Sequence, residues 1–489
     1  MSSLGQKARS AVIWNAGFNI FRDLLQFGTM LVLVRLLEPE AYGQFGLVTS
    51  IIGFISILSF NNFIAHTLQV KSDDEAHYQD HFTAGTVIQA SLFLLCNLLA
   101  LCLWWMPTYE AIAPLVHAMS LLFLFGFPCD FRIKILERQL DWKRLRLLHA
   151  IGLLITTVVA ILMAAAGAGA YALLLPGILV TLPFVFDLFA NLKWKPDWTW
   201  SWQRFKPAWQ FGLSRIGSCL ATNGKQLLES GVLAKVLGFA TLGFVNRAMG
   251  LAQIFCMKFA SQLMYSLYPM LARQEQGSAS FRRASGLVLR SVAWVVIPLG
   301  LIFSVLAGPV VRTVYGNKWL EVIPLLPWGM AFGVTAAMAH AGYMLVLASQ
   351  RQNWCLALDC VALLGTGISL FVLLPLGLIP YLAGVTCVQL IICAASAAML
   401  LRLQSVAWDG LAVALLPPLV SALLVIALCE GLAWVSALGK SALLGALVYG
   451  TIFCVGYAVL LRLLFEKHLG ELVSYLPASQ RLRRALRLH

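Results

Sequence analysis

Apolar runs of about 20 residues or more follow one another along almost the whole chain, separated by short polar breaks. Each run is long enough to cross a bilayer core of roughly 30 Å as a helix. The pattern predicts spans over residues 9–36, 41–69, 82–106, 110–136, 144–166, 169–191, 208–237, 240–272, 283–307, 320–349, 353–376, 378–402, 409–437 and 440–465. A transmembrane barrel would instead read as short segments of alternating hydrophobicity. The expected fold is an all-α polytopic membrane protein of about 14 transmembrane helices, with twelve as the lower bound because several spans are tight hairpins.

Polar residues interrupt this pattern in an ordered way. In the seventh span Arg215, Ser218, Thr222, Lys225 and Glu229 recur at steps of +3, +4, +3 and +4. Residues so spaced share one helix face. Charges on a lipid-facing side would be untenable, at roughly 2.5–3.5 kcal/mol each near the bilayer centre on insertion scales. The face is therefore expected to meet protein or a water-filled cavity. Lys225 and Glu229, four residues apart, are also placed to pair with each other.

The chain matches itself at an offset of 200 residues. Arg35-Leu36-Leu37 overlies Lys235-Val236-Leu237, and Gly43 overlies Gly243, both in the turn between the first two spans of a half. At an offset of 201, Gly85, Val87 and Ile88 overlie Gly286, Val288 and Leu289. Six spans per half make the repeats parallel, an arrangement that places a transporter's site near mid-membrane. The offset also gives the polar face a counterpart. Asn15, Asn19, Arg22, Gln26 and Thr29 share a face of the first span and correspond to Arg215, Cys219, Thr222, Gln226 and Glu229. Both faces are expected to line one cavity.

Charge fixes orientation and organisation. Lys7, Arg9, Lys71, Arg138, Lys143, Arg144, Arg146, Lys193, Lys195, Arg204, Lys206, Arg273, Arg282, Arg283, Arg351 and Arg402 fall on one side of the predicted spans. The other side holds only Arg35, Lys235, Arg312, Lys318 and Lys440. By the positive-inside rule both termini are expected in the cytoplasm. The expected division is an N-terminal six-helix bundle (1–192), a basic, Trp-rich cytoplasmic linker (193–207), a second six-helix bundle (208–403), helices 13 and 14 (404–468) and a basic cytoplasmic tail (469–489).

Composition narrows the function classes. The chain is 60% hydrophobic and 11% charged, with a mean hydropathy of +0.83, which leaves little for a soluble domain. The net charge of +14 lies in loops between apolar segments rather than on a soluble basic face, so no nucleic-acid partner is expected. The 11 cysteines show no metal-ligand spacing, and there is no P-loop, GxSxG or HExxH. Neither enzyme chemistry, a metal nor a cofactor is expected. The first run follows Lys7 and Arg9 and lacks a small-residue cleavage site, so it reads as a retained span.

The embedded cations carry the candidate chemistry. Arg247 and Lys258 in the eighth span join Arg22, Arg215 and Lys225 as candidate substrate-binding residues. Asn15, Asn19, Gln26, Ser218, Thr222 and Glu229 are the candidate polar lining. A cavity of that sign suits an anionic group such as a diphosphate, which Arg meets with a planar fork and Lys as a point charge. Asp23 and Glu229 are candidates for ion coupling, with a helix–helix hydrogen bond as the alternative for Asp23. Asp23 points roughly 100° away from Arg22 and need not pair with it. Arg132, Lys134 and Arg290 lie near span ends and read more as snorkelling or paired side chains.

Five segments stand out as motifs: Arg35–Gly43 (RLLEPEAYG), Gly169–Leu173, Leu237–Gly243, Tyr268-Pro269 with Leu271, and Val311–Leu326. The last is the most specific, through Tyr315, Gly316, Lys318, Trp319, Pro324 and Leu325. In order and spacing these segments resemble the polysaccharide-transporter family of Wzx-type oligosaccharide-lipid flippases, which usually has glycine where Glu38 stands. That family belongs to the superfamily that includes MATE exporters and lipid II flippases. The resemblance implies two six-helix bundles around a cationic cavity in the bacterial inner membrane. It also implies movement of an undecaprenyl-diphosphate-linked oligosaccharide between leaflets by alternating access, for exopolysaccharide or other cell-surface polysaccharide synthesis. Implied partners are membrane lipids and the polymerase and glycosyltransferases of the same pathway. The alternatives are a MATE-like cation-coupled exporter and a lipid II flippase.

Overall fold

The computed structural model describes residues 2–60, 75–191, 198, 201–271, 274–275, 278–349, 351–403, 405–432, 434–435, 437 and 443–474. Residues 193–197 and 199–200 of the predicted Trp-rich linker and the arginines of the predicted tail lie outside the described residues, as do the side chains of Arg215 and Ser218. Thirteen described stretches are apolar and long enough to cross a membrane, and the 47-residue stretch Cys219–Tyr265 contains two crossings divided at Gly238. Fourteen crossings result, as the hydrophobic pattern predicts. Packing groups the chain into two compact units, Met1–Gly243 and Phe244–His489.

The first unit contains α1 (Ser2–Leu36), α2 (Pro39–Ile55), α3 (Glu75–Trp104), α4 (Ala113–Gln139), α5 (Trp142–Ala165), α6 (Tyr171–Leu179) and α7 (Leu182–Ala190). The first arm of α8 (Trp202–Ala252) completes it. Local chemistry sets the breaks. Leu140 takes a left-handed conformation (φ 57°), and the Asp141 carboxylate then caps α5 by accepting from Arg144 N at 3.2 Å. The sixth predicted span is two short helices. Pro183 opens the second, where it has no N–H to continue the ladder, and Thr181 turns its hydroxyl to Ile178 O at 2.7 Å.

The repeat is visible at the two matching turns. Glu38 precedes a proline, which favours extended backbone, and sits at φ −81°, ψ 154° without needing a glycine. Its counterpart precedes Phe239 and turns through Gly238 at φ 81°, a conformation natural to glycine. Beyond the turns the chains cross closely. A Cβ on Gly43 would lie 1.8 Å from Phe239 O, and one on Gly243 would lie 1.9 Å from Pro39 O. Gly43 against Phe239 and Gly243 against Pro39 are thus reciprocal contacts, related by the offset read from the sequence. Gly43→Ala or Gly243→Ala must separate two backbones. We expect destabilisation of about 1–3 kcal/mol, measured as a lower thermal unfolding midpoint in detergent. Gly28→Ala, whose new methyl would meet nothing within 4 Å, should not lower it.

The second unit is built on α10 (Ala279–Val305) and α12 (Val322–Ala348), both extensively buried. Around them pack α9 (Lys258–Leu271), α13 (Gln352–Ile368), α14 (Leu378–Arg402), α15 (Trp408–Gly431) and α16 (Leu443–Ser474), with the short α11 (Ala307–Val310) following α10. Polar links fasten α15 and α16 to α10. Trp294 Nε1 donates to Val413 O at 3.2 Å, Tyr457 OH donates to Trp294 O at 2.9 Å, and Arg290 meets Glu471 at 2.7 Å. The segment after α11 turns at Gly316 (φ 93°) and inserts Tyr315 and Trp319 edge to face, almost fully buried. Packing therefore explains why Tyr315, Gly316 and Trp319 form a recognisable motif.

Candidate functional site

The polar face of α1 is shared between a neighbouring helix and open positions. Asn15 Oδ1 accepts from Arg146 Nε on α5, and that guanidinium lies 5.2 Å from the centre of the Phe18 ring. One end of the face is therefore satisfied within the bundle. At the other end, Thr29 donates to Leu25 O at 2.7 Å and lies 3.3 Å from the Thr157 hydroxyl of α5. Between them sit Asn19 and Arg22, half-buried, and Gln26, exposed. Arg22 pairs with Asp23 at 3.0 Å, and both side chains are about one-third exposed. Their positions diverge around the helix, but the long guanidinium folds back along the backbone to reach the carboxylate. The pair lowers the cost of each charge while leaving part of the guanidinium accessible.

The first arm of α8 presents two contrasting faces. One packs on α2: Ser230 Oγ is 2.9 Å from Ser50 Oγ, Asn223 approaches Gly53, and Gly224 approaches Phe54. Tyr109 OH adds a hydrogen bond to Gly231 O at 3.2 Å. At about 100° per residue, positions 222, 225 and 229 fall nearly opposite this packed face. Thr222 and Gln226 are exposed, and Lys225 and Glu229 are half-buried. Positions 215 and 218 continue the same line in the α8 backbone, so the polar stripe faces away from the helix that α8 packs against.

Arg247 and Lys258 belong to the second unit, and both are half-buried. A π-helical turn, Gln253–Met257, comes directly before Lys258 and widens the spiral there. Such turns recur at functional positions and re-aim the residue that follows. Hydrophobic periodicity gave no sign of it. Arg146, at the start of α5, joins the polar face of α1 although its place among loop charges carries no sign of that contact.

Other embedded cations have structural partners. Asp187 receives Arg132 Nε at 2.6 Å and Arg144 Nε at 2.9 Å, while Asn191 adds a bond at 3.3 Å. Arg132 and Asp187 are under one-tenth exposed. Lys134 pairs with Glu137 at 2.7 Å. The Asp187 cluster holds α4, α5 and α7 together, whereas the Lys134–Glu137 pair lies within α4. Among the described residues no cluster of His, Cys, Asp and Glu could hold a metal ion.

A family model described as "Polysaccharide biosynthesis protein" matches residues 32–324, more than half of the chain. The succinoglycan biosynthesis transport protein ExoT of Rhizobium meliloti is 23% identical over 304 residues, covering 62% of this chain and 61% of that protein. The chain thus spans about three-fifths of ExoT's length. The lipopolysaccharide biosynthesis protein WzxC of Escherichia coli is 23% identical over 360 residues, 72% of each chain. Among solved structures, the lipid II flippase MurJ in an inward closed conformation superposes with a TM-score of 0.73 at 11% identity, covering 93% of this chain and 99% of that one. An inward-facing MATE transporter of the MOP superfamily gives 0.58 at 15% identity, covering 78% and 95%. These two likenesses establish the architecture. The family match, running from the end of α1 into the start of α12, makes this membrane-spanning chain a member of the polysaccharide biosynthesis protein family.

Proposed function

We propose that the chain is a flippase carrying a polyprenyl-diphosphate-linked oligosaccharide from the cytoplasmic to the outer leaflet. Its proposed cationic contacts are Arg22, Arg215 and Lys225 in the first unit and Arg247 and Lys258 in the second. The observation that carries the reading is the stripe Thr222, Lys225 and Glu229, set on the face of α8 opposite its packing on α2. A helix that packs through one face and keeps ionisable groups on the other inside an apolar bundle is suited to handling a charged substrate. Family membership supports a place in polysaccharide synthesis, and the transport role of ExoT comes to this chain as part of the proposal.

The sugar and diphosphate would follow the polar residues while the prenyl chain stays in lipid. Alternating exposure of the cations to the two sides would supply the step. Asp23 and Glu229 are the candidates for coupling it to an ion gradient. Two six-helix bundles, two appended helices and cytoplasmic termini complete the proposed arrangement. The test is expression in a bacterium lacking its own oligosaccharide-lipid flippase but able to build the cognate lipid-linked repeat. Polymer should reappear on the surface and the lipid-linked precursor should fall. Continued precursor accumulation with well-inserted protein would overturn the reading.

A further inference from the structure

An apolar cavity of about 460 Å³ lies within the first unit, and none of Thr222, Lys225 and Glu229 lines it. Its walls come from α2 (Leu47, Ile51), α3 (Leu103) and α8 (Leu228, Val232), and Lys235 stands at its edge. Lys235 is exposed and follows the apolar wall by one helical turn. No salt bridge to it occurs among the described residues. The cavity has the size of a small-ligand pocket, roughly 300–1,000 Å³, but almost no polar lining to orient a polar molecule. A hydrocarbon chain fits the walls, and an anion fits the rim. The three contributing helices are apolar crossings, so the opening is within reach of membrane lipid.

We propose that this cavity holds an acyl chain of an anionic phospholipid whose phosphate meets the Lys235 ammonium. The walls supply apolar burial and the lysine selects the headgroup, as basic pockets between transmembrane helices do. Tyr109 OH already bonds Gly231 O at one side of the cavity, which fixes α8 there. A seated chain adds packing between α2 and α8 beside the Ser50–Ser230 contact. This inference stands apart from the transport reading, since none of the residues proposed to meet the transported substrate lines the cavity.

Native mass spectrometry of the full chain in mild detergent tests it, with phosphatidylglycerol and phosphatidylcholine of equal chain length as probes. The wild type should retain one phosphatidylglycerol, with about tenfold preference over phosphatidylcholine, the worth of a charge-assisted hydrogen bond. Lys235→Gln should erase the preference. Val232→Trp and Ile51→Trp, which fill the cavity from different helices, should remove retention of both lipids. Unfolding midpoints identify a misfolded variant, and Lys235→Gln at an exposed position decides the headgroup contact independently. The proposal is overturned if the wild type retains no lipid, if it retains a polyprenyl carrier there instead, or if the variants bind as the wild type does. A lysine that merely reaches toward headgroup water would give that last result.

Discussion

Asp187→Ala should be among the most destabilising single substitutions in the first unit, at about 3–5 kcal/mol. The Asp187 carboxylate receives Arg132 at 2.6 Å and Arg144 at 2.9 Å, joining α7 to α4 and α5. Arg132 is only 7% exposed, so it cannot exchange the lost partner for water. Arg144, at 41%, can do so in part and should contribute less to the loss. The expected readout is a fall of about 5 °C or more in the detergent unfolding midpoint. The double variant Arg132→Met, Asp187→Leu removes both buried charges and should recover much of that fall, because replacing a buried pair often approaches neutrality. Equal midpoints for the wild type and Asp187→Ala would show that the network contributes nothing.

Loss of export should be the largest functional effect. Arg22→Ala with Lys225→Ala removes two cations proposed to meet the diphosphate, and charge-assisted contacts are each worth about 1.5–3 kcal/mol. Together they predict a fall of about 100-fold or more in surface polymer, with insertion and expression unchanged. Arg22 also pairs with Asp23, so its removal leaves a half-buried carboxylate behind. Arg22→Lys, which keeps a cation beside Asp23, should retain measurable export. If Arg22→Lys fails as completely as Arg22→Ala while Lys225→Ala exports normally, the Arg22–Asp23 pair is structural and the stripe assignment falls.

The helices were legible because apolar run length against bilayer thickness is a strong signal. Even the turn at Gly238 followed from the 200-residue repeat, although Glu38 at the matching position uses extended backbone instead. What spacing cannot supply is the identity of a neighbour. It placed Asn15 and Thr29 on one face with Arg22, but not the Arg146 and Thr157 of α5 that meet them. Side-chain reach was the second gap, since Arg22 bends to Asp23 despite their divergent positions. The third was local backbone chemistry. Pro183 divided a predicted span, and the π-helical turn before Lys258 left no trace in hydrophobic periodicity. For the candidate site, residue types and shared faces were readable, whereas the division between packing and open polar positions required coordinates.

The most direct measurement uses the purified chain in proteoliposomes with a labelled polyprenyl-diphosphate oligosaccharide in both leaflets. An impermeant glycosidase outside reports the fraction reached over time. Flipping by the wild-type chain should make the inner pool accessible, while that pool stays protected both in protein-free vesicles and with Arg22→Ala, Lys225→Ala. Protection of the inner pool with well-folded wild-type protein, under an imposed ion gradient of either sign, would contradict flipping by this chain.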